Sequence, residues 1–226
     1  RAMVLWIFWL YLVVAQLLGS IYRPHLHHDG WTYFSAIAQL NNLIPGKDYF
    51  ELYGVIGSSF ESWLIGISDK LFLIRVLGVL LNILIARETY LIASIWISKH
   101  FAHVTAIIWF ATNPSFVSAL THSTPFAMHT WPNQYGVLFS LHIFRTIMQD
   151  DLNRNFKIVR LSLLLSFLPF TRLQFIVHFA VLLCSLLIIA PNKTVKWKIT
   201  LLTLFFTSIL VVAQFQRNEN LYEYLD

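Results

Sequence analysis

The chain has 226 residues, of which 57% are hydrophobic and only 12% charged. A soluble domain carries about 25% charged residues. The charge here is too sparse to cover a water-facing surface, which excludes a soluble enzyme, a nucleic-acid-binding domain and a disordered chain. The net charge of +5 therefore points to basic loops on one side of a membrane rather than to nucleic acid.

A bilayer crossing takes about 20 apolar residues. The first apolar run, Ala2–Ile21, is too long for a signal-peptide core, has no small-x-small cleavage site after it, and reads as a crossing. The chain opens at Arg1 rather than Met, as a portion of a longer protein would. A polar stretch follows. Inside it, Trp31–Leu43 places Phe34, Ile37, Ala38 and Leu40 at helical spacing. That spacing predicts a short amphipathic helix on the membrane surface, ended by Pro45-Gly46. Ser59–Leu73 reads as a second short apolar helix that dips into the interface without crossing. Residues 22–75 would thus form a first outer loop with two juxtamembrane helices. Crossings are predicted at Val76–Ile97, His103–Asn113 and Asn133–Met148. The long run Ile158–Ala190 contains Pro169 and Arg172 and splits at Phe170–Gln174 into two shorter spans. The last crossing is Ile199–Phe215. The predicted fold is an all-α polytopic membrane protein with about seven transmembrane helices, a single module over residues 1–226 without internal repeats. The lone Cys184 reads as a small buried or lipid-facing side chain.

The loop charges orient this layout. With Arg1 inside, the inner side holds Arg1, Lys99, Arg145, Arg154, Lys157, Arg160, Lys193, Lys196 and Lys198. The outer side holds Arg23, Lys47, Lys70, Arg75, Arg172 and Arg217, in much longer segments. Basic density is higher inside, as the positive-inside rule asks. Arg87-Glu88 falls within a span. Neighbouring residues point about 100° apart on a helix and pair poorly, so each is expected to contact a neighbouring helix.

The densest polar cluster is His25-Leu26-His27-His28-Asp29-Gly30, just outside the first crossing. Three readings stand. The histidines suit a wet interface; His28 and Asp29 help to hold a divalent metal; or Asp29 is a catalytic base that takes a proton from a sugar hydroxyl. Arg172, interrupting an apolar run near the outer face, reads as a phosphate-binding cation or as a snorkelling one. Lys47 and Arg75 read as phosphate ligands or headgroup contacts. Gln174 stands close to Arg172. Trp31 lies beside Asp29 and could stack on a sugar, although an aromatic belt explains most of the tryptophans. The polar segment Thr121–Gln134, with His122 and His129, could line an acceptor site. No Walker loop, Gly-x-Ser-x-Gly or Gly-x-Gly-x-x-Gly is present.

A first span, a loop Asp, a short helix and then Pro45-Gly46-Lys47-Asp48-Tyr49-Phe50-Glu51-Leu52-Tyr53-Gly54, a second short helix, Arg75 and a span follow one another. This order resembles the amino-terminal half of the GT-C integral-membrane glycosyltransferases. Asp29 stands 17 residues before Gly46, and Tyr53-Gly54-Val55 stands where the family commonly has Tyr-Gly-Pro. Thr171-Arg172-Leu173-Gln174 is similar to a later family element. The resemblance implies a sugar donor on a polyprenyl phosphate, transfer at the outer face to a glycan, lipid or protein acceptor, and Asp29 as the base. The family's second-loop acid has no counterpart in Pro114–Trp131, which offers His122 and His129 instead. The substrate-binding set is then His28, Trp31, Tyr53, His122, His129 and Gln174, with Arg172, Lys47 and Arg75 on the donor phosphate. No cofactor is required, a divalent metal near Asp29 and His28 being the open alternative. The competing functions are a transporter or lipid-carrier flippase, which needs polar groups at mid-bilayer depth, and a non-catalytic membrane subunit.

Overall fold

A computed structural model describes residues 7, 9–14, 30–43, 48, 55–68, 71–112, 132–149, 155–171 and 175–217. Every regular element among them is an α-helix. Besides the helical stretch 9–14, there are eight: α1 (Gly30–Leu40), α2 (Val55–Ser68), α3 (Leu71–Trp96), α4 (Lys99–Thr112), α5 (Pro132–Met148), α6 (Asn155–Thr171), α7 (Phe175–Ile189) and α8 (Lys193–Arg217). The split expected at 170–174 is present: α6 ends at Thr171, two residues past Pro169, and α7 starts at Phe175.

Val76–Trp96 in α3 and Lys193–Val212 in α8 are long and apolar enough to cross a membrane, each with mean hydropathy 1.7. Phe175–Ile189 is apolar but shorter. The outward faces of α7 and α8 are strongly apolar, with Val177, Val181, Ile188, Leu201, Leu204 and Phe205 all more than half exposed.

Side-chain pairs fix the helix directions. Tyr90 meets His103, while Ile83 and Ala86 meet Ile107 and Phe110, so α3 and α4 are antiparallel. Asn82 pairs with Gln134 and Glu88 with Arg145, so α5 runs parallel to α3. Ser140 pairs with His178, and a Cβ at Gly136 would run into the Phe175 ring, so α7 follows the same direction. Ser162 and Ser166 donate to the carbonyls of Ile199 and Thr203, so α6 and α8 run parallel. The main core lies among α5, α6, α7 and α8, around Ile143, Leu161, Leu165, Leu168, Phe175 and Leu186.

The α1–α2 pair departs from its expected form at one point: α1 ends at Leu40, before Pro45-Gly46. Leu43 N–H donates to the Ala38 carbonyl at 2.9 Å and Asn42 N–H to that of Gln39 at 3.0 Å, with Asn42 at φ 61°. This is a Schellman stop, for which asparagine tolerates the left-handed conformation. The face turned to α2 includes Ser35 and Ala36, with Ile37 and the buried Ile65 packed beside Ala36 and Gln39 accepting from Ser59 at 2.9 Å. Phe34 is exposed, as are Phe60, Trp63 and Ile67 on α2. Small residues let the two short helices approach closely, and these larger apolar side chains lie outside the contact.

Candidate functional site

None of the ten side chains singled out from the sequence is described. Asp29, His28, Lys47, Tyr53, His122, His129, Arg172 and Gln174 lie outside the described residues. Trp31 is the second residue of α1 and Arg75 the fifth of α3, but only their backbone is described. The metal reading of His28 and Asp29 likewise falls outside them. The helix ends that flank these residues are described, and the directions above place them.

Helices α3, α5 and α7 begin at one end of the bundle, where α4 and α6 finish. Arg75 is the fifth residue of α3. His122 and His129 fall in the chain between Thr112 of α4 and Pro132 of α5, and Arg172 and Gln174 between Thr171 and Phe175. Helix α2 finishes at Ser68, just before α3 opens, and packs on α3 and α6. Its partner α1 begins at Gly30, the residue after Asp29. The opposite end carries Lys99, Arg145, Lys157, Lys193, Lys196 and Lys198, at the starts of α4, α6 and α8 and the last turn of α5.

A polar network missed at the level of the sequence ties α3 to α5. The Glu88 carboxylate is 2% exposed. It accepts from Arg145 Nε at 2.5 Å and from Arg87 Nη1 at 3.0 Å, with His142 Nδ1 at 3.4 Å. Arg145 continues to Gln149 Oε1 at 3.0 Å. The Nε2 of His142 is buried without a hydrogen-bond partner among the described residues. Glu88 contacts a neighbouring helix as expected, but Arg87 pairs with its own neighbour: its long side chain curls back over the 100° between them. The two arginines differ in burial, Arg145 at 15% and Arg87 at 60% exposure. A buried carboxylate needs a matched partner to offset desolvation, and Arg145 is that partner. The signal in the sequence was the i, i+3 spacing of His142 and Arg145 on one face of an otherwise apolar helix.

Among the described residues no group of three metal-ligating side chains gathers. No known family model, curated protein or solved structure matches this chain.

Proposed function

We propose that the chain is a polytopic membrane glycosyltransferase of the GT-C type, with about seven crossings, its amino terminus on the inner side and its site at the outer face. One observation supports this reading above others. The helix ends flanking Arg75, His122, His129, Arg172 and Gln174 share one end of the bundle, and the lysine-rich ends lie opposite. Residues far apart in the chain can therefore serve one site, on the side the positive-inside rule makes external. The two long apolar helices and the exposed apolar faces of α7 and α8 suit a lipid environment.

In this mechanism the Asp29 carboxylate takes the proton of an acceptor hydroxyl. That oxygen attacks the anomeric carbon while the bond to the polyprenyl phosphate breaks. The electron pair leaves on the phosphate, whose charge Arg172 offsets together with Lys47 or Arg75. Trp31, Tyr53, His28, His122, His129 and Gln174 bind the sugar and the acceptor. One carboxylate and one displacement give inversion. The test is sugar transfer by the purified protein in lipid, offered a panel of polyprenyl-phosphate sugars. Asp29→Asn is expected to lose about a hundredfold in turnover. Wild-type rates in that variant would overturn the assignment of Asp29.

A second reading, a carrier of lipid or solute, is favoured by the buried Glu88 network, since intramembrane charge commonly marks a transport path. Turnover or flux that depends on Arg87 and not on Asp29 would select it.

A further inference from the structure

Between the helical stretch 9–14, α3 and α4 runs a groove of about 440 Å³. Trp9, Ile83 and Leu91 give it apolar walls, and Arg87 and His103 bring nitrogen to it. Tyr90 lies against the His103 ring, with centroids 4.3 Å apart. From Ile83 to Leu91 the groove follows α3 for about 12 Å, at 1.5 Å per residue. That is the shape of a trough for a hydrocarbon chain with a cation along it.

Among the described residues, the charge count beside this trough does not close. There Arg87 and Arg145 share the carboxylate of Glu88, so the trio carries one surplus positive charge. Arg145 is the shielded member and also donates to Gln149. The surplus therefore sits on Arg87, the exposed member, in the wall of the groove. Depth is read across the bundle rather than along α3. Glu88 is level with Arg145, in the last turn of α5, and Tyr90 is level with His103, one turn into α4. Arg87, three residues before Tyr90, is thus about two turns from the start of α4, and its long side chain can snorkel toward the lysine-rich end, where lipid phosphates would lie. In a low-dielectric surrounding, an uncompensated guanidinium attracts an anion strongly.

We propose that this groove binds one anionic glycerophospholipid from the leaflet at the lysine-rich end. Its phosphate sits on Arg87, and an acyl chain runs from there along Ile83 and Trp9, away from the lysine-rich end. Basic pockets between transmembrane helices hold lipid headgroups by this chemistry. The inference rests on the membrane location of the chain and not on sugar transfer, so its site is separate from the Asp29 end and either can fail alone.

The experiment is native mass spectrometry of the full chain in detergent, titrated with phosphatidylglycerol, with phosphatidylcholine, and with inorganic phosphate alone. One phosphatidylglycerol is expected to be retained in preference to phosphatidylcholine, with inorganic phosphate retained least. Arg87→Gln, which leaves Glu88 its Arg145, is expected to weaken retention about tenfold, while Lys193→Gln at the same end has no effect. Equal retention of the two lipids, unchanged retention in Arg87→Gln, or phosphate binding as well as lipid would each overturn the proposal. A second measurement keeps Arg87 in place: quenching of tryptophan fluorescence by phosphatidylglycerol with brominated chains, in wild type and Trp9→Phe. Part of the quenching is expected to vanish with Trp9, and identical quenching in both would place the lipid elsewhere.

Discussion

The α3–α5 and α6–α8 seams both join helices that run in the same direction, and they use opposite chemistry. Across α3–α5 the links are long side chain to long side chain: Gln134 to Asn82 at 2.7 Å and Arg145 to Glu88. Across α6–α8 the buried links are short hydroxyl to backbone, with a Lys198 Nζ to Asn155 Oδ1 bond of 3.0 Å at the exposed end. Ser162 reaches the Ile199 carbonyl at 3.4 Å, and the Ser166 hydroxyl is shared between the Ser162 carbonyl of its own helix at 2.8 Å and that of Thr203 at 3.0 Å. Ser162 and Ser166 are fully buried and one helical turn apart, the small-xxx-small spacing that lets backbones approach. The first seam gains register from particular partners, so removing one strands the other. The second gains proximity, so it tolerates loss of a hydroxyl better than gain of volume.

Four substitutions sharpen this contrast. The largest effect is expected from Glu88→Gln, which leaves Arg145 shielded without its carboxylate. A cost of about 3 kcal/mol or more in unfolding free energy should appear as an early transition on denaturant titration in detergent. Next comes Ser162→Leu, which forces α6 and α8 apart; overpacking of this kind costs about 1–3 kcal/mol, and cysteine cross-linking across the seam should report the separation. Ser166→Ala keeps the close approach and loses only a hydroxyl. About 0.6 kcal/mol is the average for such bonds in membranes, so its transition should shift only slightly. Smallest is Arg87→Gln: an exposed member of an ion pair contributes under about 1 kcal/mol, and the thermal midpoint should stay close to wild type. If Arg87→Gln proved as damaging as Glu88→Gln, the division of labour between the two arginines would be wrong.

Much of the helical frame was legible in the sequence because its signals are local. Pro169 and the polar Thr171-Arg172-Leu173-Gln174 break an apolar run that is otherwise too long, and the helices break there. The end of α1 was misread because Pro45-Gly46 is the louder punctuation, while Asn42 stops the helix through a single positive φ. What the periodicity of α1 left unread is its protein-facing side: Ser35 and Ala36 pack inward while Phe34 faces out, since small residues let helices approach closely. Arg145 counted in the sequence as one more basic residue near an inner loop. Its pairing with Glu88 spans 57 positions, and no local pattern encodes that distance. For the candidate site, the sequence supplied residue types at suggestive spacings. The helix directions add which of their flanking ends share one end of the bundle.

Gly136 has a consequence beyond packing. Any side chain there would meet the ring of Phe175, a fully shielded residue that opens α7 directly after Arg172-Leu173-Gln174. The bare backbone of α5 thus acts as a seat on which the first residue of α7 rests. A bulkier residue at this seat would lift the start of α7 like a shim under a bearing. A mutation buried between two apolar helices would then show first as a displaced start of α7, before any loss of fold.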